Sequence, residues 1–320
     1  MKNLTLLLLL IASIVMPVQP VSAQDFPVTV THAFGETTIA AKPERIAVIG
    51  WMAQDVVLAL GEVPVGVPVQ NWGGDENGLL PWDSAAIAAL GGALPTRYDD
   101  TQVPFEQILA LAPDLILAPY SGLTRADYDR LSQIAPTVGW SGAAWSGSWQ
   151  AVTLTVGKAL GQSAAAQALV DVTEADLAAI ATAHPEFAGK TFTFGWPDLA
   201  QASFGVYVGS DSRVQLLEDL GLELAPGAAA LSGQGFFVPV SFERLDTLDA
   251  DVLITWQADQ AELDALLDSP LFARFAPVAQ GNMIAMLDHS FVMATSAPSV
   301  LSIPWAMERL VPELAGVLTQ

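Results

Sequence analysis

The stretch FEQILALAPDLILA, residues 105–118, begins with Phe-Glu, continues as a short apolar helical pattern, stops at a proline and ends in an apolar run. FERLDTLDADVLIT, residues 242–255, repeats the same order much later in the chain. Each stretch predicts one short helix followed by one buried strand, which is the repeating unit of an α/β fold. Two such units so far apart predict two lobes of related design.

The segments around the first stretch complete one α/β lobe. RIAVIG (45–50) predicts a buried strand, MAQDVVLALG (52–61) an amphipathic helix closed by glycine, and VPVGV (63–67) the next strand. A further helix and strand are predicted at 124–135 and 136–140, and VTVTHAFGETTIA (28–40) alternates like a hairpin. Because these strands are apolar throughout, they predict a parallel sheet that is covered on both faces.

The second stretch lies in a similar lobe beyond an alanine-rich helical span. Residues 150–184 predict a helical linker with a break near Gly161 and no strand. Strands are then predicted at KTFTFGW (190–196), ASFGVYVG (202–209), DVLITW (251–256) and NMIAML (282–287), with helices at 212–221 and 260–269. The sequence therefore predicts lobes at 24–149 and 185–320, joined by the linker, and no return of the chain to the first lobe.

Composition and charge restrict the class of protein. The chain has 320 residues, of which 52% are hydrophobic and 14% charged, so it can bury large apolar cores. The formal net charge is −22, from 12 basic and 34 acidic residues. This balance excludes nucleic acid and an anionic membrane surface as partners, and it favours a soluble monomer.

The first 23 residues predict a secretory signal peptide. Lys2 precedes an apolar run at 4–15, and Val21-Ser22-Ala23 is a small-residue cleavage site, so cleavage is expected after Ala23. A membrane anchor is the alternative, but the run is short and prolines follow it. The chain has no cysteine, so we expect neither disulfides nor lipid attachment through an N-terminal cysteine. These features together favour the periplasm.

Large aromatic residues follow the predicted strands of both lobes. In open parallel sheets, ligands bind outside the carboxyl ends of the strands. The aromatics at these ends are Trp51, Tyr120, Trp140, Trp196 and Trp256, and loops add Trp72, Trp82, Trp145 and Trp149. Such residues can also fill core ends, but five in matching places predict an aromatic cleft between the lobes. Such a cleft suits a bulky, partly apolar small molecule.

Most basic residues lie where a solvated helix face or a strand start explains them, with two exceptions. Arg97 stands in a loop, and Arg213 opens a helix directly after a strand, a position suited to an anion. Each could instead form a surface pair with a nearby aspartate. The three histidines show no metal-ligand spacing, and only His289 follows a strand of the cleft. No nucleophile elbow or phosphate loop is present, so neither catalytic nor metal-binding residues are predicted.

Five ordered segments carry a family resemblance: 43–67, 105–138, GKALG (157–161), 241–254 and 269–286. They resemble the periplasmic ferric-siderophore-binding proteins of ABC importers, a group that also contains haem and cobalamin binders. The resemblance implies a fold like that of class III periplasmic binding proteins. In this fold two α/β lobes, with mainly parallel sheets flanked by helices, are joined by a single long helix. The ligand lies in the cleft and the lobes move little when it binds.

The resemblance also implies partners and roles. Glu106 and Glu243, one in each repeated stretch, would dock onto arginines of the two permease subunits, which work with their ATPase subunits. A Glu in the first turn of a helix is in any case favoured by the helix dipole. The ferric siderophore would hold its own iron, so the protein needs no cofactor. Arg97 and Tyr120 are the nearest equivalents of residues in hydroxamate binders, and Arg213 matches a position in catecholate binders.

Few arginines are available for a strongly anionic ligand, which favours a hydroxamate or mixed siderophore. The predicted ligand-binding residues are Trp51, Trp72, Arg97, Tyr120, Trp145, Trp196, Arg213, Trp256 and His289. A haem or cobalamin binder of the same fold is the alternative. In a haem binder, Tyr120 or His289 could supply the axial ligand. A periplasmic hydrolase on this scaffold is a further alternative.

Overall fold

The structure is a computed structural model that describes residues 26–231 and 235–319. The predicted signal peptide and its cleavage site lie outside these residues. Within the described ranges, no helix combines the length and the apolar character that a membrane crossing requires.

The first lobe contains the predicted hairpin and a parallel sheet. The hairpin consists of β1 (Val28–His32) and β2 (Gly35–Ile39), which pair antiparallel. The sheet strands are β3 (Ile46–Val48), β4 (Gly66–Pro68), β5 (Thr96–Tyr98), β6 (Leu115–Leu117) and β7 (Thr137–Val138). They pair in parallel in the order β5-β4-β3-β6-β7. This confirms the predicted parallel sheet.

Four helices accompany this sheet: α1 (Ala53–Ala59), α2 (Pro81–Leu90), α3 (Phe105–Ala110) and α4 (Arg125–Leu131). Three of them were predicted, but α2 and β5 were not. Pro81 opens α2 at a position that tolerates proline, and the helix buries only a few side chains, so its pattern carries little periodicity.

The predicted linker holds two helices, α5 (Trp149–Ala159) and α6 (Ser163–Ala183), and the break lies where it was expected. Gly161 adopts a φ of 68° there, a left-handed conformation that favours glycine. The helix α5 packs on α1 and β1, so it belongs with the first lobe. The long connecting helix is therefore α6, with 21 residues.

The second lobe is built on a mixed sheet. Its strands are β8 (Thr191–Asp198), β9 (Ser203–Tyr207), β10 (Glu223–Leu224), β11 (Phe237–Ser241), β12 (Val252–Trp256) and β13 (Met283–Met286). Their order is β11-β9-β8-β12-β13, with β10 also pairing with β8. The strands β8, β10, β12 and β13 are parallel, whereas β9 and β11 are antiparallel to their neighbours. The direct hairpin from β8 to β9 causes this difference from the first lobe.

The helices of the second lobe are α7 (Ser212–Asp219), α8 (Pro226–Ala229), α9 (Gln260–Leu267), α10 (Ala276–Ala279), α11 (His289–Ser296) and α12 (Ser302–Leu318). Short 3-10 helices occur at Pro185–Phe187, Phe242–Leu248 and Phe272–Arg274. The repeated stretch is thus an α-helix in the first lobe and a 3-10 helix in the second. In both lobes a parallel strand follows it, as predicted.

The C-terminal part of the chain contacts the first lobe without adding a strand to its sheet. The Ser299 hydroxyl lies 2.5 Å from an oxygen of Asp55 on α1, and the rings of Trp305 and Trp82 are 5.4 Å apart. One continuous hydrophobic core includes buried residues of both lobes. The sequence did not predict this contact, because it joins residues that are distant in the chain.

Candidate functional site

A cavity of about 170 Å³ lies where the two lobes meet. The first lobe contributes Trp51, Tyr120 and Trp145 to its walls, and the second contributes Arg213 and Phe236. Four of these five residues carry aromatic rings. Three predicted aromatic residues of the first lobe therefore share this space with Phe236 and Arg213 of the second.

The first lobe positions its side of the cavity at the centre of its sheet. Trp51 follows β3 and Tyr120 follows β6, two adjacent strands from which the chain continues in opposite directions along the sheet. This is a topological switch point, where α/β sheets bind ligands. The Trp51 amide donates to the Tyr120 carbonyl oxygen at 3.0 Å. Gly50 permits this approach, because a Cβ atom there would lie 2.3 Å from that oxygen.

Trp145 completes the first lobe's side. Its ring centroid lies 5.4 Å from that of Trp51 and 5.9 Å from that of Tyr120. Its amide donates to the Ser121 carbonyl at 3.0 Å, and its indole lies directly over Gly122. A side chain at position 122 would occupy the space of the indole, so this glycine fixes where Trp145 packs.

The second lobe contributes the charged part of the site. Arg213 lies in the first turn of α7 and exposes only 7% of its surface. Its Nη1 donates to Asp211 Oδ2 at 2.8 Å and its Nε to Ser296 Oγ at 3.1 Å. The guanidinium carbon lies 4.1 Å from the ring centroid of Tyr207. The arginine is therefore fixed from three directions beside the cavity.

An aromatic band continues from the cavity along the lobe boundary. Trp196 and Trp256 stand on the adjacent strands β8 and β12 and stack at 6.1 Å, and Trp196 lies 5.1 Å from Tyr207. Trp256 Nε1 donates to the Tyr207 hydroxyl at 3.1 Å. Trp72 of the first lobe reaches across to Trp256 at 5.4 Å and stacks on His289 at 4.2 Å. The band thus contains residues of both lobes.

Burial controls the titration of the polar groups here. It raises the pKa of the Tyr120 hydroxyl, an effect that a hydrogen bond from Ser212 opposes. It also raises the pKa of Tyr207, against the influence of the nearby Arg213 charge. Burial raises the pKa of Asp211 as well, and Arg213 opposes that rise. Because the guanidinium is always charged and lies 2.8 Å from Asp211 Oδ2, it favours the ionised carboxylate.

The predicted binding residues fall into three groups. Trp51, Tyr120, Trp145 and Arg213 line the cavity. The aromatic band contains Trp72, Trp196, Trp256 and His289. Only Arg97 lies elsewhere.

The structure does not bring Arg97 to the cavity. Its Nη1 donates to the Pro95 carbonyl at 2.6 Å, and the residue lines a separate polar cavity of about 740 Å³ together with Asn71 and Asp75. The reason is the strand order. Arg97 stands on β5, the edge strand, two strands from β3, and each strand adds about 5 Å.

Three other tryptophans are structural. Trp140 packs on Phe34 with ring centroids 4.9 Å apart, and its Nε1 donates to the Leu123 carbonyl at 3.0 Å. Trp82 and Trp149 are buried in the main core. For these three, the alternative of core filling is correct.

The sequence pattern does not identify Phe236, Tyr207 or Asp211 as site residues. Phe236 precedes β11, an edge strand that was not predicted, so nothing in the pattern placed it at the cleft. Tyr207 ends the antiparallel strand β9, to which the rule for parallel strand ends does not apply. A signal was available for Asp211, since Asp followed by Arg two residues later at a helix start is an N-cap with a ready ion pair.

Glu106 and Glu243 lie on the outside of the lobes. Glu106 is exposed in the first turn of α3. Glu243 is exposed in the 3-10 helix, and its amide donates to Ser241 Oγ at 3.3 Å. Both side chains are accessible to a partner.

No cluster of three or more metal-ligating side chains occurs within residues 26–231 and 235–319. The aromatic walls and the paired arginine can instead bind an organic molecule by stacking and hydrogen bonding.

Curated relatives match part of the chain. YhfQ of Bacillus subtilis, a lipoprotein named as an ABC transporter substrate-binding protein, is 32% identical over 145 residues, or 44% of this chain and 42% of the relative. YfiY of the same organism, a lipoprotein named as siderophore-binding, is 37% identical over 111 residues, or 34% of this chain and 32% of the relative. Each match spans less than half of the relative.

Solved structures match nearly the whole fold. PiaA of Streptococcus pneumoniae, in complex with ferrichrome, is 34% identical with a TM-score of 0.84, covering 91% of this chain and 99% of that protein. A periplasmic solute binding protein of Mycobacterium smegmatis is 32% identical with a TM-score of 0.79, at 91% and 99% coverage. Staphylococcus aureus SirA, in complex with staphyloferrin B, shares the fold at 22% identity, a TM-score of 0.72, and 89% and 98% coverage.

The sequence profile of the family described as "Periplasmic binding protein" matches residues 46–288. This range begins at β3 and ends just after β13, so it includes both sheets and the cavity between them. The two-lobed α/β fold implied by the resemblance is confirmed. The chain belongs to the periplasmic binding protein family.

Proposed function

We propose that this protein captures a ferric siderophore of the hydroxamate or mixed type between its lobes and delivers it to an inner-membrane ABC importer. One observation carries the proposal. The cavity is shared by both lobes and lies in a fold that matches, over 91% of the chain, a protein whose structure contains ferrichrome. No catalytic step is part of this function.

The size and lining of the cavity support a ligand that is only partly enclosed. Pockets that bury most of a drug-sized ligand measure roughly 300 to 1,000 Å³, whereas this cavity measures about 170 Å³. It would therefore hold one part of a siderophore, and the aromatic band would contact the remainder. The iron is cargo in this proposal, because the siderophore itself supplies the metal ligands.

Delivery would use the outer surfaces of the lobes in the periplasm. Glu106 and Glu243 are exposed, one in each repeated stretch, and their charges would meet arginines on the two permease subunits. A matching acid on each lobe suits a partner built from two similar subunits, which in turn carry the ATPase subunits. The predicted signal peptide would direct the chain to this compartment.

Haem is a less suitable ligand for this site. An axial tyrosine ligand binds as the phenolate, and burial raises the pKa of Tyr120, which disfavours that form. The other candidate, His289, places its Nε2 2.8 Å from the Ala258 carbonyl and stacks on Trp72. Both potential axial groups are therefore poorly prepared to bind iron.

Tryptophan fluorescence tests the proposal. Ferrichrome, a ferric tris-catecholate, ferric citrate and haem are titrated separately into the purified protein. We expect ferrichrome to quench the emission in a saturable manner, because Trp51 and Trp145 line the cavity. No quenching by ferrichrome, the ferric tris-catecholate or ferric citrate would contradict the proposal. Saturable quenching by haem alone would favour haem transport.

A pair of variants localises the binding. Trp51→Ala removes a cavity wall, and we expect it to weaken ferrichrome binding by about tenfold or more, since a buried aromatic anchor contributes on the order of 1 to 3 kcal/mol. Trp140→Phe is the control, because Trp140 packs away from the cavity on Phe34. Equal affinities for the two variants would place the ligand elsewhere.

A further inference from the structure

We propose that Asp211 determines the charge class of the ligand: by neutralising Arg213 it makes the cavity select ferric complexes that carry no net negative charge. This inference rests on the proposed function and adds to it a specificity-determining residue. Asp211 does not line the cavity and acts through Arg213.

The ion pair is held by geometry that ties both charges together. Asp211 is the N-cap of α7, and its Oδ1 accepts from the Arg213 amide at 2.9 Å while its Oδ2 accepts from Nη1 at 2.8 Å. The aspartate is 2% exposed. Because the same carboxylate caps the helix and binds the guanidinium, the two charges cannot separate without loss of the cap.

The remaining walls add no charge. Trp51, Tyr120, Trp145 and Phe236 are uncharged, so Arg213 is the only charged residue that lines the cavity within the described parts of the chain. With Asp211 at 2.8 Å, the nearest charges sum to zero. A cavity that contains an arginine is therefore electrostatically close to neutral.

The arginine still binds through hydrogen bonds. A guanidinium has five N–H donors. Within the described residues, hydrogen bonds from the side chain are seen only from Nε to Ser296 and from Nη1 to Asp211. The other donors can meet carbonyl or hydroxamate oxygens of a ligand at the cavity wall. Recognition by donors without net charge suits a polar but neutral complex.

Ferric siderophore complexes fall into two classes according to their net charge. A ferric ion bound by three singly charged hydroxamates is neutral, whereas three doubly charged catecholates leave a threefold negative complex. Moving such an anion out of water is costly unless a compensating charge meets it. The cavity offers none in excess, and the net charge of −22 on the chain adds long-range repulsion.

The test replaces Asp211 by asparagine, which keeps the size of the side chain and remains a good N-cap. Dissociation constants are measured for ferrichrome and for a ferric tris-catecholate, in the wild-type protein and in Asp211→Asn. We expect the variant to bind the anionic complex at least about tenfold more tightly than the wild type, because Arg213 gains an uncompensated charge. Affinity for ferrichrome should change less than about threefold, since a neutral ligand gains little from that charge.

Two further variants separate charge from structure. Ser296→Ala removes the contact to Nε without changing the charge, and it should leave the ratio of the two affinities unaltered. The double variant Asp211→Asn/Arg213→Gln is again neutral, so it should restore the wild-type preference. If a lone buried arginine prevents Asp211→Asn from folding, the double variant still tests the inference. A preference of this neutral variant for the anionic complex would overturn it.

The outcomes distinguish this inference from the proposed function. If the wild-type protein binds neither ferrichrome nor the tris-catecholate, the proposed function fails. Suppose instead that the wild type binds ferrichrome, and that the ratio of the affinities for ferrichrome and the tris-catecholate is the same in Asp211→Asn as in the wild type. The proposed function then stands, and the role of Asp211 is wrong. An anion affinity that rises in the variant and falls again with increasing salt supports the role.

Discussion

Both lobes bury aspartates near their common boundary, but the partner is an arginine in one lobe and a second aspartate in the other. In the second lobe Asp211 contacts Arg213 at 2.8 Å. In the first lobe Asp55 and Asp83, on the neighbouring helices α1 and α2, have no charged neighbour except each other among the residues that the structure describes. Burial raises the pKa of Asp55 to about 6, and burial together with the charge of Asp55 raises the pKa of Asp83. The first pair is balanced by charge, and the second must be balanced by a proton.

The two sites consequently serve different parts of the molecule. The Asp211 pair sets the charge next to the cavity. Asp55 instead accepts hydrogen bonds from Trp82 Nε1 at 2.7 Å and from Ser299 Oγ at 2.5 Å, and Ser299 belongs to the C-terminal segment. One carboxylate thus joins the two lobes, while the other tunes the ligand site. Buried acids of the same type differ in role because of which neighbours the fold brings to them.

The largest expected effect concerns the outer surfaces of the two lobes, which we propose dock onto the importer in the same way. We expect the double variant Glu106→Lys/Glu243→Lys to abolish transport of ferrichrome into cells or into liposomes with the importer. Binding by the isolated protein should stay unchanged, because both residues are exposed and neither lines the cavity. Uptake of radiolabelled iron and the fluorescence titration measure the two effects.

The single reversals show whether the two lobes dock with equal strength. Equal partial losses would indicate equivalent contacts, whereas loss in only one variant would indicate that the α-helix and the 3-10 helix present their acids differently. Asp171→Lys/Glu308→Lys is the matched control, since it makes the same charge change at exposed sites on α6 and α12. Normal uptake by the double variant at 106 and 243 would contradict the docking proposal.

The acid pair of the first lobe predicts a pH dependence of stability. A carboxyl whose pKa is higher in the folded state binds its proton more tightly there, so its stabilising effect is full below about pH 4, the unfolded value. For Asp55 that stability is lost as the pH rises from about 4 to about 6. The loss is on the order of 2 to 3 kcal/mol in the free energy of unfolding, which urea titrations between pH 4 and pH 8 can measure.

Asp83→Asn isolates the contribution of the pair. The asparagine can still donate to Asp55 but it does not titrate, so the free energy of unfolding should fall less between pH 4 and pH 8 than in the wild type. Asp246→Asn, at an exposed position, should leave the slope unaltered. An identical slope in Asp83→Asn and the wild type would show that the two carboxyls do not share a proton.

The sequence predicted what depends on local pattern. Apolar runs identified the central strands of both sheets, and the rule for strand ends placed Trp51 and Tyr120 at the cavity because they follow the adjacent strands β3 and β6. It could not predict the position of Arg97 relative to them. That position depends on β5 lying at the sheet edge, and a strand of three residues leaves no periodic signal.

The contacts between lobes were also beyond the sequence. Phe236 reaches the cavity from the start of an edge strand, and Ser299 reaches Asp55 from a segment with no predicted element. Such contacts are set by how two complete lobes pack, which no window of neighbouring residues encodes. The long helical span, residues 150–184, shows both what the sequence could predict and what it could not. Its break at Gly161 was predictable from the glycine, but the division of α5 and α6 between the lobes was not.

The smallest expected effect concerns how each lobe fixes its side of the cavity. The second lobe uses an ion pair, whereas the first uses the packing of Trp145 on Gly122. In Gly122→Ala the new Cβ atom would lie 2.6 Å from the Trp145 Nε1 atom, so the indole must shift. We expect ferrichrome binding to weaken by a few fold, because the wall is displaced but not removed. Gly209→Ala is the matched control, since its Cβ atom would meet its nearest neighbour, Leu224, at an ordinary 3.9 Å. Unchanged affinity in Gly122→Ala, measured by the same fluorescence titration, would mean that Trp145 adapts freely and that only the charged side of the cavity is rigid.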